Sequence, residues 1–146
     1  MNDYLTLDAF RPAELGFDGA SVVPGMLTAW CAQMQLFTAA FEQAHAQLLL
    51  QVRMREVTGA HLFIAAGGTL NRAVLNAAGQ KFLDRYMDVF EDDINTAFGS
   101  LTQVPKDDWD NYQKLARLIT SRYMQPQRSN TGNWLRKLFS GSKKDA

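Results

Sequence analysis

Residues 26–52 read MLTAWCAQMQLFTAAFEQAHAQLLLQV, and one face of this stretch decides the fold. Leu27, Trp30, Met34, Phe37, Phe41, Ala44 and Leu48 recur at steps of 3, 4, 3, 4, 3 and 4. That is a heptad seam, the repeat that lets one helix lie along another. It predicts one long helix from Ser21 or Pro24 to about Val57. Proline suits a first helical turn, where its missing N–H has no intrahelical partner. Glu42 is the only formal charge between Met26 and Val52. A helix so poor in charge is covered on more than one side, at the centre of a bundle or against a second protomer. Trp30, Met34, Phe37 and Phe41 are therefore the candidate oligomer or partner seam.

Outward from this stretch the pattern stays helical. Thr58-Gly59 ends or bends the first helix. Ala60–Ala66 is a short apolar run whose period separates neither helix nor strand. Gly67-Gly68 is a break, after which Thr69 or Asn71 can cap a second long helix. Its stripe is Leu70, Val74, Ala77, Phe82, Tyr86, Val89, Phe90, Ile94 and Phe98, and Gly99-Ser100 closes it. Pro105-Lys106-Asp107-Asp108 reads as a third helix start, with acids in the first turn. Trp109, Tyr112, Leu115, Ile119 and Tyr123 give that helix its buried face, and Pro126 ends it. Residues 1–20, interrupted by Arg11-Pro12 and Gly16, read as an irregular arm.

The expected class is all-α: a small antiparallel helical bundle with two long helices, a third helix, an irregular N-terminal arm and a short amphipathic C-terminal helix. Residues 1–125 form the helical domain, 126–132 a polar hinge, and 133–146 a basic amphipathic tail. A chain of 146 residues suits one sizeable core.

Formal net charge is zero, but the zero hides a division. Residues 122–146 carry six basic side chains against one acidic, a net +5; residues 1–121 carry nine against fourteen, a net −5. An acidic body argues against nucleic acid as its partner. Cys31 is the only cysteine, so no intrachain disulfide forms, which fits a reducing compartment. Met1-Asn2-Asp3-Tyr4 lacks the basic start and apolar run of a secretory signal. The uncharged stretch from Gly19 to Phe41 is broken by Pro24, Gly25 and several polar residues, so it is not read as a membrane span. The expected location is cytoplasmic, with peripheral attachment at the inner face of the membrane.

That attachment rests on the tail. At about 100° per residue, Trp134, Leu135, Leu138 and Phe139 share an arc of roughly 140°. Asn133, Arg136, Lys137 and Ser140 lie opposite. An apolar wedge with a basic flank is the layout of an interfacial helix. Trp134, Leu135, Leu138 and Phe139 would insert; Arg136, Lys137, Lys143 and Lys144 would supply attraction to anionic lipid or an acidic partner. The segment Trp134-Leu135-Arg136-Lys137-Leu138-Phe139 resembles the C-terminal membrane-targeting helices of bacterial division proteins such as the MinD and FtsA ATPases. The resemblance covers six residues and implies membrane targeting alone. The body carries no Walker motif, so those families' activities do not transfer.

Candidate chemistry is sparse. Glu42 and His45 have the Glu-x-x-His spacing of di-iron bundles, but no second copy exists and Glu56 and His61 are five apart. Asp84, Asp88 and Glu91 line one face beside Arg85 and Asp92-Asp93, which reads as a solvated face. Cys31 reads as a small buried hydrophobe. Gly67-Gly68-Thr69-Leu70-Asn71 precedes a helix without the phosphate-loop Lys-Ser/Thr. No cofactor, metal or catalytic set is called for. The expectation is a non-enzymatic interaction or adaptor protein whose partner is a protein, a second copy or an anionic membrane. The alternative is a soluble coat, chaperone-like or inhibitor/immunity protein using its charge-poor first helix. That helix resembles granule-coating phasins in its Gln/Ala/Phe composition.

Overall fold

A computed structural model describes residues 3–6, 20–99 and 105–125. Its axis is helix α1 (Val22–Gln33). Every residue from Ala20 to Ala32 is buried. A helix apolar on all sides and free of charge has nowhere to go but the middle of the molecule. Pro24 sits in its first turn, and the Thr28 hydroxyl donates back to the Pro24 carbonyl at 2.8 Å.

The expected long first helix is not there: α1 stops at Gln33. Gln35 takes a left-handed conformation with φ 57°. The Leu36 N–H donates to the Cys31 carbonyl, and the Gln35 N–H to the Ala32 carbonyl. This pair of bonds is a Schellman ending, usually built on glycine. Two short helices follow, α2 (Ala39–Ala44) and α3 (Ala46–Arg53), divided at His45. Thr38 caps α2 by accepting from the Phe41 N–H at 3.2 Å. Arg53 folds the three helices together: its Nε and Nη2 donate to the Ala32 carbonyl at 3.0 and 2.8 Å, and its Nη1 and Nη2 grip Glu42 at 2.9 and 2.7 Å.

A second Schellman ending closes α3, with Arg55 left-handed at φ 61°. Helix α4 (Gly59–Ala65) settles the ambiguous apolar run as helix. It lies against α1 at two glycines. A Cβ on Gly59 would stand 1.9 Å from the Gly25 carbonyl oxygen, and one on Gly25 2.4 Å from the Ala60 nitrogen. Gly67 ends α4 at φ 96°, this time with the residue type the motif favours.

The second long helix is also divided. Strand β1 (Asp3–Thr6) pairs antiparallel with β2 (Thr69–Asn71), setting Leu5 opposite Leu70. Part of the arm is thus a strand, and Thr69 to Asn71 is its partner. Asn71 caps a 3-10 turn (Arg72–Val74), and Asn76 caps α5 (Ala77–Tyr86) by accepting from the Gly79 N–H at 2.9 Å. The chain breaks at Met87–Val89 and resumes as α6 (Phe90–Phe98), closed by Gly99 as expected. Helix α7 (Trp109–Met124) starts from Asp108, whose Oδ1 accepts the Asn111 N–H at 2.8 Å. The start therefore falls three residues after Pro105.

Most of the heptad and stripe residues still meet in one core, while Ala44 and Ala77 are exposed. Leu27, Trp30, Phe37, Phe41, Phe82, Tyr86, Phe90, Ile94, Tyr112, Leu115 and Ile119 are all buried together. The Trp30 ring meets Phe82 at 5.2 Å and Tyr123 at 5.4 Å, and its Nε1 donates to Thr120 at 3.0 Å. The fold is a small, mostly helical one with a single two-stranded sheet among the described residues. No described helix is long and apolar enough to cross a membrane.

Candidate functional site

The tail residues Trp134, Leu135, Arg136, Lys137, Leu138, Phe139, Lys143 and Lys144 lie outside the described residues. The structure bears on them through the charge that leads into them. Arg122 is engaged by the body: its guanidinium makes three contacts to Asp93 at 2.9 to 3.1 Å. Tyr86 donates its hydroxyl to the same carboxylate at 2.8 Å. Asp93 is buried, so the sequence-based placement of Asp92-Asp93 on a solvated face fails for Asp93. Beyond Gln125 the chain carries Arg128, Arg136, Lys137, Lys143 and Lys144 against Asp145, a net +4.

The candidate seam has moved inward. Trp30, Phe37 and Phe41 are buried in the chain's own core, and Met34 is half-buried against it. Phe37 and Phe41 stack on each other at 4.3 Å. The break at Gln35 turns what would be an exposed seam of one rod into a corner that closes on itself, so these four side chains do not form an outer docking stripe.

The Glu42–His45 pair is likewise divided. Both carboxylate oxygens of Glu42 hold Arg53, and the His45 ring packs on Phe41 at 4.5 Å. Among the described residues, no group of three or more His, Cys, Asp or Glu is placed to hold a metal ion. Cys31 is fully buried, and burial pushes its thiol well above the usual range, away from the thiolate that a nucleophile needs.

Three polar clusters and one groove escaped sequence reading. Asp84 receives a two-pronged contact from Arg72 at 3.0 and 3.1 Å and a hydrogen bond from the Tyr4 hydroxyl, tying β1 to α5. These contacts hold the Asp84 carboxyl below its ordinary range, Arg72 first. The Asp93–Arg122–Tyr86 cluster ties α5, α6 and α7 together. Thr58 donates to Asp107 at 2.6 Å and lies 3.4 Å from His61 Nδ1. The groove, about 320 Å³, is lined by Ala78, Lys81, Phe82, Arg85, Tyr123 and Gln125. Arg85 lies over the Phe82 ring at 5.1 Å. Each cluster joins residues from separate elements, so no local spacing in the sequence announces it.

The tyrosines give a measurable consequence. Burial and then the bond to Asp84 push the Tyr4 phenol up to about 12; burial pushes Tyr112 up to about 12. Burial and the bond to Asp93 push Tyr86 up further. In an unfolded chain these phenols ionise near 10. A raised folded pKa contributes stability that is present below about pH 10 and is lost as pH rises toward about 12. We therefore expect the phenolate absorbance of these three groups to appear above pH 11 and together with unfolding. Full phenolate absorbance at pH 10.5 in a protein that remains folded would contradict these environments.

No curated protein and no solved structure matches this chain. One family match covers most of the body and runs from Tyr4 in β1 to Tyr123 in α7. By that match over residues 4–123, the chain belongs to the family described as a domain of unknown function, DUF7832.

Proposed function

We propose that this protein is a non-enzymatic helical interaction protein whose basic C-terminal segment attaches it reversibly to an anionic membrane surface. The observation that carries this reading is the separation of apolar and basic side chains within residues 133–146, on a stretch with a net +4 beyond the last described helix. Burying Trp134, Leu135, Leu138 and Phe139 contributes roughly 6–12 kcal/mol gross. Ordering a dozen residues costs about 1–2 kcal/mol each, which offsets the whole of that gain. Each basic side chain near an anionic leaflet adds about 1 kcal/mol. Binding by one chain is therefore reversible and salt-sensitive.

Co-sedimentation with anionic and neutral vesicles tests this. The full chain should pellet with anionic vesicles only. Leu138→Asp should weaken that binding by at least about tenfold, since burying one leucine is worth roughly 1.5–3 kcal/mol. Its melting temperature should match that of the parent. Absence of vesicle binding, with a truncation after Ser129 melting below the full chain, would make the tail a structural helix and end this proposal.

A further inference from the structure

Charge is absent from the exposed positions of one stretch of the chain. Between residues 33 and 54 every exposed position is uncharged: four glutamines, four alanines, Leu50 and Met54. From residue 55 to 125, fourteen of the 26 exposed described positions are charged, so the neutrality of the first region is not the habit of this surface. The two charges that do fall in it, Glu42 and Arg53, are half-buried and bonded to each other.

On each helix the exposed residues share a side. On α3 and its C-terminal cap, Ala46, Gln47, Leu50 and Met54 fall within an arc of about 100°. Leu50 is 56% exposed and Met54 61% exposed, two of the three large hydrophobic side chains the described residues leave open. On α2 the exposed positions are two alanines before Phe41, then Gln43 and Ala44.

We propose that this face of α2 and α3 is a two-fold interface with a second copy of the chain. A two-fold contact sets the same patch against itself, so the patch must be complementary to itself. A patch of one charge sign fails that test. Glutamine passes, since its amide both donates and accepts. Alanine, leucine and methionine pass as well. A lipid surface or an anionic partner would call for cations, and this face has none. The inference stands apart from the proposed role of the tail, and its experiment reads size in the absence of lipid.

Sedimentation velocity of the full chain across the micromolar to millimolar range is the test. The expected result is a reversible monomer–dimer equilibrium. Gln47→Lys sets like charges across the two-fold axis and should raise the dimer Kd about tenfold or more. Gln47→Glu should do the same. An equimolar mixture of the two variants should recover dimer, because the charges across the axis are then opposite. Leu50→Lys is the second, independent disruption. All these positions are exposed, so the variants should keep the parent melting temperature. A monomer throughout the range would overturn the proposal. So would a dimer that survives Gln47→Lys and Leu50→Lys, or one that Leu138→Asp abolishes. A mixture no tighter than its components would overturn the two-fold geometry.

Discussion

Gly59→Ala is expected to lower the melting temperature by roughly 6–12 °C, the equivalent of about 3 kcal/mol in a chain of this size. The new methyl would stand 1.9 Å from the Gly25 carbonyl oxygen and 2.7 Å from the Ala29 Cβ. The first obstacle is backbone, which cannot swing aside as a side chain can. Helices α1 and α4 must move apart, and α1 is the buried axis of the molecule. Overpacking costs about 1–3 kcal/mol in most cores, and a backbone obstacle belongs at the upper end. Alanine gains up to about 1 kcal/mol over glycine within a helix. Gly59 is the first residue of α4, where little of that gain applies. The clash therefore wins. Gly67→Ala is the contrast: nothing lies within 4 Å of its new Cβ, and only the left-handed backbone resists. That costs about 1–2 kcal/mol. Thermal melts by circular dichroism separate the two. Equal losses would show that the helix crossing yields more easily than its geometry demands.

Arg122→Met is the second large effect, about 3 kcal/mol destabilising. The Asp93 side chain is 4% exposed and would keep a single side-chain donor, the Tyr86 hydroxyl. A buried carboxylate stripped of its guanidinium bears a full desolvation cost with little in return. The Arg122 side chain is 35% exposed, so water screens the pair from one side and holds the loss near the low end for buried ion pairs. Asp93→Asn should be milder, at about 1–2 kcal/mol, because the freed guanidinium reaches solvent and the amide oxygen still accepts from Tyr86. Denaturant melts of the two variants measure both claims. A costlier Asp93→Asn would refute the desolvation argument.

Helix content and core membership were legible in the sequence, because periodicity records which face is apolar. The seam residues Leu27, Trp30, Phe37 and Phe41 and the stripe residues Phe82, Tyr86, Phe90 and Ile94 are all buried. Helix ends were legible only where their residue type is distinctive. Gly67-Gly68 and Gly99 mark real endings. Gln35 and Arg55 adopt the same left-handed turn with side chains that normally avoid it, and nothing in the sequence flags them. The apolar repeat runs through Gln35 and on past the division at His45 to Leu48, so three helices read as one rod. The polar clusters were hidden for another reason. Tyr4, Arg72 and Asp84, or Tyr86, Asp93 and Arg122, become neighbours only after the corners form. The uncharged surface of α2 and α3 was half visible: the sequence showed the missing charge, while exposure had to come from coordinates.

The short sheet has a consequence for the order of events during folding. Helices α1 to α4 are joined by tight corners and can assemble through contacts near in sequence. Strand β1 cannot, because its Tyr4 finds Asp84 eighty residues away. Closing so long a loop is slow and entropically opposed until the far side is ready. Strand β1 is thus among the last elements to dock, and Leu5 stays wet until β2 and α5 have been made.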